Sequence, residues 1–286
     1  MKIPVTVVIP TYNAGDNFAK CADVISKQVA KIVEIIVIDS SSTDKTADIA
    51  KSFGFSVDII PRENFGHGKT RQYALNKVKT EVVLFMTQDA LLADNNSIDN
   101  LVSYLQRDKK LAAVYGRQLP YSNTGVLGSF ARIYNYPQLS FINSFEDKAK
   151  KGIKTAFLSD SFAAYKKSIL MKIGGFPKHV NFGEDTYIAA KLLLAGYKTG
   201  YCAEAKVYHS HDYGLYDDYL RAKTIGSFHK EEHWLLDTFG KAEGEGWKYV
   251  FNEFKYLFNI GKPYLWPVAC LHNVFKFIGY KVGYSK

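Results

Sequence analysis

The sequence predicts an α/β protein in which a mostly parallel sheet carries helices on both faces. Strands and helices alternate along the first half of the chain, as in successive β-α-β units. The strands are continuous apolar runs, such as EIIVID at Glu34–Asp39 and EVVLFMT at Glu81–Thr87. Continuous apolar strands indicate burial on both faces, which is the environment of a parallel sheet between helices.

The first half of the chain supplies most of these elements. Strands are predicted at Val5–Ile9, Glu34–Asp39, Ser56–Ile60, Glu81–Thr87 and Leu111–Gly116. The spacing of apolar residues predicts helices between them, at Asn17–Gln28, Asp44–Ser52, Lys69–Lys77 and Ser97–Gln106. We expect Ser40–Thr43 to cap the second of these helices.

The second half of the chain is less regular. It predicts a strand at Asp160–Tyr165, helices at Lys167–Ile173 and Glu184–Ala195, a strand at Tyr197–Tyr208, and mostly helix over Tyr213–Leu236. Gly196 is placed to end the helix before it. At Gly240–Gly246 the composition shifts to Gly, Glu and Lys, which predicts a linker. We therefore expect one domain over residues 1–239 and an amphipathic, aromatic and basic extension over 240–286.

The composition narrows the class of protein. The chain has 286 residues, 47% of them hydrophobic, which argues for a sizeable core and against disorder. A net charge of +9 suits phosphates, nucleic acid or an anionic membrane face. Three widely spaced cysteines, Cys21, Cys202 and Cys270, match no disulfide framework, which favours a reducing compartment. No signal peptide or spanning helix is predicted.

Polar residues stand where the predicted strands end. In such sheets ligands bind beyond the carboxyl ends of the strands, which is where Tyr12, Asp39 and Asp89 lie. Asp39 suits the N3–H of a uracil or thymine, or alternatively caps a loop, and Tyr12 suits stacking on a base or ordinary packing. Asp89 suits Mg²⁺ or Mn²⁺, because hard cations take oxygen ligands, or is a turn residue.

Three further groups carry candidate chemistry. Arg71 follows Gly68-Lys69-Thr70 without completing a phosphate loop, and it suits either a base or phosphate contact or plain surface. Glu184-Asp185 begins a helix, where acids favour the helix dipole or supply a general base for an attacking hydroxyl. His209 and His211 share a face of an extended chain, so both rings can approach one ion or phosphate, or alternatively the pair is structural.

In their order along the chain, these signals resemble glycosyltransferase family 2. The resemblance covers about Ile3 to His229 and rests on Pro10–Asn13, Val37–Thr46, Arg71, Asp89, Glu184-Asp185 and Tyr208–His211. Within the family the chain looks most like the bacterial rhamnosyltransferases of polysaccharide assembly, on the stretches Asn64–Leu75, Phe85–Leu92, Val114–Tyr121, Ser159–Ser168 and Gly183–Lys198.

The resemblance implies the GT-A fold, with a Rossmann-like nucleotide-binding half near 1–116 and an acceptor half near 117–239. The residues that it implies for the nucleotide sugar are Pro10, Thr11, Tyr12, Asp39, Arg71 and Asp89. It also implies Asp185 as the catalytic base, and Mn²⁺ or Mg²⁺ held by Asp89 with His209 or His211. Sugar contacts are expected from Arg117, Gln118, Asp160 and Glu184. The sequence departs from the family's DXD motif at Thr87-Gln88-Asp89, where Thr87 stands in place of the first aspartate.

The activity implied by the resemblance is an inverting transfer of L-rhamnose from dTDP-β-L-rhamnose to a hydroxyl of a lipid-linked glycan precursor. Alternatives are a UDP-hexose donor, or a basic nucleotide- or RNA-binding module without chemistry. The chain has no RNA-recognition signature, so no nucleic-acid partner is expected. We expect a cytoplasmic protein, peripheral at the inner face of the membrane. Its C-terminal extension is expected to contact an anionic membrane surface, the catalytic domain or a second subunit of a homo-oligomer.

Overall fold

A computed structural model describes residues 2–285, which form two compact units. The first unit contains the chain up to Gln118, Gln138–Phe145 and Ala156–His209. The second contains Leu119–Pro137, Glu146–Thr155 and the chain from Ser210 onward. The division therefore does not fall at residue 240, where the sequence places the start of the extension. Residues 210–239 instead belong to the same unit as the C-terminal helices.

Within the described residues, the strands form one nine-stranded sheet. Their bounds are β1 Val5–Thr11, β2 Ile32–Asp39, β3 Ser56–Ile59, β4 Val82–Met86, β5 Leu91–Leu92, β6 Leu111–Leu119, β7 Phe141–Asn143, β8 Phe162–Lys166 and β9 Lys198–Tyr208. The spatial order is β3-β2-β1-β4-β8-β6-β9-β5, with β7 also paired to β9. The short strands β5 and β7 are not predicted from the sequence, because runs of two and three residues carry no periodicity.

The sheet is mixed rather than mostly parallel, which corrects the expectation from the sequence. The strands β3, β2, β1 and β4 pair in parallel, as expected for the first half of the chain. Beyond β4 the sheet is antiparallel where β8 pairs with β4 and β6, and where β9 pairs with β5 and β7. Continuous apolar runs report burial on both faces and do not report strand direction, so the sequence signal did not distinguish the two halves.

The helices lie close to their predicted positions. Their bounds are α1 Gly15–Ser26, α2 Thr46–Ser52, α3 His67–Lys77, α4 Ser97–Leu105, α5 Val126–Asn135, α6 Lys148–Lys151, α7 Lys167–Lys172, α8 Glu184–Leu194, α9 Leu215–Glu231, α10 Trp234–Phe239, α11 Glu245–Asn259 and α12 Trp266–Ser285. The helices α5, α6 and α12 are not predicted individually. The helix α2 begins at Thr46, and the side chain of Asp44, not Ser40–Thr43, accepts from the Thr46 N–H at 2.9 Å.

Two glycines place the helices that carry the site. A Cβ on Gly68, in the first turn of α3, would lie 2.1 Å from the carbonyl oxygen of Pro177. The close approach of these two segments therefore explains the glycine in the Gly-Lys-Thr sequence, which is not part of a phosphate loop. Gly183 has φ +80°, a left-handed conformation that favours glycine, and it turns the chain directly into α8.

The second unit is helical, and its main contact joins α9 to α12. Small residues allow the two backbones to approach closely: a Cβ on Gly226 would lie 2.2 Å from the carbonyl oxygen of Tyr280, and one on Gly283 would lie 2.0 Å from that of Lys223. Pro267 lies in the first turn of α12, where proline leaves no hydrogen bond unmade. None of the helices in residues 2–285 is both long and apolar enough to cross a membrane.

Candidate active site

The strand ends of β1 and β2 meet as the sequence predicts. Thr11 and Asp39 are register partners in this parallel pair, and the Thr11 hydroxyl donates to Asp39 Oδ1 at 2.9 Å. The backbone N–H of Ser42 donates to Asp39 Oδ2 at 2.8 Å, and the Ser42 hydroxyl donates to Oδ1 at 2.6 Å. Asp39 therefore holds the loop after β2, which was one of its two predicted roles. Three of the carboxylate's about four acceptor positions are used, so one remains for a ligand.

Tyr12 is held at this edge by its backbone. The side-chain amide of Gln88 accepts from the Tyr12 N–H at 2.7 Å and donates to the Tyr12 carbonyl oxygen at 3.1 Å. The ring is partly exposed, and the Arg62 guanidinium lies 3.9 Å from its centroid. Pro10, half-buried in β1, pairs in register with Ile38. An exposed ring on an anchored backbone suits base stacking, and a cation beside it suits phosphate.

Asp89 and His209 face each other. The Asp89 carboxylate, just beyond β4, lies 3.4 Å from Nε2 of His209, which directly follows β9. Gln118 sets the tautomer of this histidine: its Nε2 donates to the Ser159 hydroxyl at 2.9 Å, which turns its Oε1 toward His209 Nδ1 at 3.0 Å. In the neutral imidazole, Nδ1 then carries the proton and Nε2 carries the lone pair.

This arrangement fits a divalent cation. A lone pair on His209 Nε2 and the Asp89 carboxylate are both acceptors, so either a proton or a metal ion between them relieves their repulsion. Carboxylate and imidazole are suitable ligands for Mn²⁺, and both residues belong to a group of potential metal ligands. His211 follows two residues later and belongs to the second unit. Of the two histidines, His209 is the one whose geometry, described above, supports a role as metal ligand.

A buried cluster of acids surrounds Arg71, in α3. The Arg71 Nη1 donates to Glu184 Oε1 at 2.7 Å, and its Nε lies 3.0 Å from Asp160 Oδ2. The Tyr165 hydroxyl donates to the other oxygen of Asp160. All three charged side chains are almost completely buried. The guanidinium is therefore engaged by two carboxylates, and these contacts give no support to the expectation that Arg71 touches a nucleoside.

Asp185 adds a third carboxyl group to this cluster. Gly183 delivers it to the first turn of α8, where the Thr186 N–H donates to its Oδ1 at 2.7 Å. Part of the Asp185 side chain is open to solvent. Burial, and next to it the negative charges of Glu184 and Asp160, together raise the pKa of Asp185 to about 8. Burial also raises the pKa values of Asp160 and Glu184, against the opposing effect of Arg71. An accessible carboxyl group with a pKa near neutrality suits a general base.

The remaining sugar-contact predictions are placed as follows. Gln118, Asp160 and Glu184 are buried, and the contacts above give them positioning roles toward His209 and Arg71. Arg117 is half-buried beside Gln118 in β6, and its sugar contact stays a prediction. Sequence reasoning missed Ser42, Gln88 and Arg62. A hydroxyl residue in the loop directly after an aspartate at a strand end is the signal that would have found Ser42.

The sheet, with candidate binding residues beyond the ends of its parallel strands, has the GT-A fold. Among solved structures, a mannosyltransferase from Pyrobaculum calidifontis in complex with GDP-Man and Mn²⁺ is similar, with a TM-score of 0.69 and 18% sequence identity. The alignment covers 99% of this chain and 87% of that chain. At that identity the likeness shows the fold alone.

The sequence comparisons identify the family. Residues 6–174 match Glycosyl transferase family 2. The O-antigen chain rhamnosyltransferase RfbN of Salmonella typhimurium is 43% identical over 281 residues, covering 98% of this chain and 89% of that protein. The O-antigen chain rhamnosyltransferase WbaN of Salmonella anatum is 41% identical over 280 residues, covering 97% and 88%. The chain belongs to glycosyltransferase family 2 and is a glycosyltransferase, which sets aside the alternative of a binding module without chemistry.

Proposed function

We propose that this enzyme transfers L-rhamnose from dTDP-β-L-rhamnose to a hydroxyl group of a lipid-linked cell-surface glycan precursor, with inversion at the anomeric carbon. The observation that supports rhamnose as the donor sugar is the sequence identity of 41–43%, over nearly the whole chain, to two proteins named O-antigen chain rhamnosyltransferases. The geometry of the site supports the type of reaction, because a carboxyl group poised as a base and a cation-binding pair lie in the same unit.

The chain's own residues carry the transfer in a single displacement. The ionised carboxylate of Asp185 accepts the proton of the acceptor hydroxyl as its oxygen attacks the anomeric carbon. The bond from that carbon to the diphosphate oxygen breaks on the opposite face, and dTDP leaves. A β-L-rhamnosyl donor therefore yields an α-L-rhamnoside. Arg71 balances part of the negative charge of Asp160 and Glu184, so that Asp185 ionises within the working pH range.

Donor binding involves the strand ends. Asp39 accepts the N3–H of the thymine through its remaining acceptor position, and Tyr12 stacks on the base. Thr11 and Ser42 keep the Asp39 carboxylate in place through their hydroxyl groups. Asp89 and His209 hold Mn²⁺ or Mg²⁺, which when bound stabilises the negative charge of the diphosphate. With Thr87 in place of the first DXD carboxylate, the ion is expected to depend strongly on the donor's own phosphates.

The acceptor and the location are proposed on the basis of the same relatives. Their names refer to O-antigen chains. A lipid-linked precursor of such a glycan would bring the acceptor to the inner face of the cell membrane. We therefore propose that the enzyme works in the cytoplasm, peripheral to that membrane face.

The donor test compares nucleotide sugars on the purified full-length protein. Thermal shifts are measured with dTDP-L-rhamnose, UDP-glucose, UDP-galactose and UDP-N-acetylglucosamine, each with and without Mn²⁺, because a ligand that binds the native state raises its stability. Release of the nucleoside diphosphate is followed in parallel. We expect dTDP-L-rhamnose with Mn²⁺ to give the largest shift and the fastest release.

The possible outcomes test the donor sugar and the metal ion separately. A larger response to a UDP-hexose would overturn the rhamnosyl donor and leave the family unchanged, because uracil presents the same N3–H as thymine. A response to dTDP-L-rhamnose that EDTA leaves unchanged would remove the cation from Asp89 and His209.

A further inference from the structure

An exposed aromatic stripe runs along α11. Trp247, Phe251 and Phe258 are 82%, 70% and 65% exposed, and their spacing of four and seven residues places them on one side of the helix. The opposite side buries Glu253 and Leu257. Exposed aromatic rings in such a row are unusual for a surface that meets only water.

The helix α12 also exposes an apolar side. Its buried side carries Ala269, Gly279 and Gly283, and its outer side exposes Val268, Leu271, Val274, Phe277 and Ile278. Trp266, at the start of α12, stacks on Phe254 of α11 with their ring centroids 5.4 Å apart, so the two helices join at an aromatic corner. Tyr264, 69% exposed, lies in the turn between them. We call Trp247, Phe251, Phe258, Tyr264, Leu271 and Phe277 the aromatic face.

The exposed charge along α11 and α12 is mainly positive. Between residues 246 and 285 the sequence contains five lysines, Lys248, Lys255, Lys262, Lys276 and Lys281, and a single acid, Glu253. That acid is buried and accepts from Asn273 Nδ2 at 2.6 Å, so it does not offset the exposed lysines. Lys248, Lys255 and Lys281 are exposed, and of these Lys248 lies 3.4 Å from Oε1 of Glu245 at the start of α11.

We propose that the aromatic face binds an anionic lipid surface, with its rings at the depth of the acyl boundary and its lysines among the headgroups. A helix with apolar residues on one side and lysines beside them is the form that lies in a membrane interface. Each lysine near an anionic surface strengthens binding by about fivefold. A second copy of this chain fits less well, because a two-fold interface would bring the exposed lysines of both copies onto the same face, where they repel each other.

The test is flotation or co-sedimentation with phosphatidylglycerol-containing and with neutral phosphatidylcholine vesicles, using the full-length protein without donor or acceptor. The variant Trp247→Ser, Phe251→Ser, Phe258→Ser should lower the partition coefficient onto anionic vesicles at least tenfold. The control Val33→Ser, Ile59→Ser, Leu139→Ser, from exposed apolar residues of the first unit, should change it less than twofold. The variant Lys248→Gln, Lys255→Gln, Lys281→Gln should lower it at least tenfold, and only on anionic vesicles.

A second measurement, quenching of tryptophan fluorescence by lipids, needs only a single substitution. The chain has three tryptophans, Trp234, Trp247 and Trp266, so lipids brominated near the headgroup end of the acyl chain should quench the wild type. Most of this quenching should be lost in Trp247→Phe, whose substitution on an exposed ring leaves the fold intact. The proposal is overturned if wild type and control stay in the supernatant with anionic vesicles at low salt. It is also overturned if light scattering shows a dimer that the aromatic variant converts to a monomer, because the face would then bind a second copy.

Discussion

The two units each bury acidic side chains, but they balance the charge differently. In the first unit one cation, Arg71, contacts Asp160 and Glu184. The charges of these three side chains also act on the neighbouring carboxyl group of Asp185. In the second unit one buried acid, Asp218, meets two basic side chains. Its Oδ2 accepts from His272 Nδ1 at 2.7 Å and lies 3.5 Å from Lys276 Nζ.

The difference separates a chemical cluster from a structural one. Where acids outnumber the cation in a buried place, one carboxyl group is driven to keep its proton near neutral pH, and it becomes available for proton transfer. In the second unit the Asp218 carboxylate has two basic partners, and these contacts tie α9 to α12. Changing one charge in each cluster should therefore have effects of different size and different pH dependence.

The largest expected effect is on stability, in Arg71→Met. Removing the only cation leaves buried carboxylates unpaired, which costs about 3–5 kcal/mol of unfolding free energy. Without Arg71 the folded-state pKa values of Asp160 and Glu184 rise further above their unfolded values. A raised folded pKa gives stability that is present at low pH and lost as pH rises, so the loss should be larger at pH 8 than at pH 5.5. Urea unfolding at both pH values measures it.

The matched control is Lys276→Met, beside Asp218 in the second unit. Its side chain is about one third exposed, and His272 remains as a partner, so we expect a change below about 1 kcal/mol. Equal losses in the two variants, or a loss for Arg71→Met that is the same at both pH values, would contradict the distinction between the clusters.

The next effect is on catalysis, in Asp185→Asn. The amide keeps the size of the side chain and cannot accept the proton, so kcat should fall at least about 10²-fold. Donor affinity, measured by titration calorimetry, should change less than threefold. Because wild-type stability falls as pH rises through about 8, where Asp185 ionises, the variant should be at least as stable as wild type above that pH. Near-normal turnover would remove Asp185 from the mechanism.

A smaller effect is expected on metal binding, in Gln118→Ala. Gln118 fixes the tautomer of His209, and loss of such a partner lowers metal affinity by about 10–100-fold. Gln118→Glu retains an acceptor for the His209 Nδ1–H and should restore most of the affinity. Binding of Mn²⁺ in the presence of dTDP, followed by electron paramagnetic resonance, gives a readout independent of turnover. Wild-type affinity in Gln118→Ala would argue against His209 as a ligand.

The smallest expected effect is the pH dependence of the wild-type rate. Below about pH 8 Asp185 carries its proton and cannot act as a base, so kcat/KM should rise with pH. The ionised fraction grows about fivefold between pH 7 and pH 8 for a group with this pKa, and the rate should follow it. A profile that is flat from pH 6.5 to pH 8.5 would show that the carboxyl group ionises lower or that another step limits the rate.

Much of the fold is readable from the sequence, because the strands are apolar runs and the helices have regular spacing. In α1, for example, Phe18, Cys21, Ala22 and Ile25 are buried at helical intervals. Strand direction beyond β4 is not readable. The strand β8 lies between β4 and β6 and is antiparallel to both, although about fifty residues separate Leu111 from Phe162 in the chain.

Some features of the candidate site are likewise readable from the sequence, and others are not. The carboxyl ends of β1 and β2 carry Thr11 and Asp39 to one edge because the strands are neighbours in the chain and pair in parallel. The roles of Arg71, Asp160 and Gln118 were not readable, because their partners lie 113, 89 and 91 positions away in the chain. A basic residue in a motif does not reveal whether it faces a phosphate or a buried acid.

The sequence by itself determined the family, the elements of the first half and the residues at the strand ends, and it put forward Asp185 as the proposed base, since motifs and periodicity are local properties of the chain. The tertiary structure alone decided which acids share Arg71, which nitrogen of His209 faces Asp89, and which sides of α11 and α12 remain open. These depend on side chains brought together from distant positions. Charge balance, tautomer and exposure are properties of such neighbourhoods, and no stretch of sequence contains them.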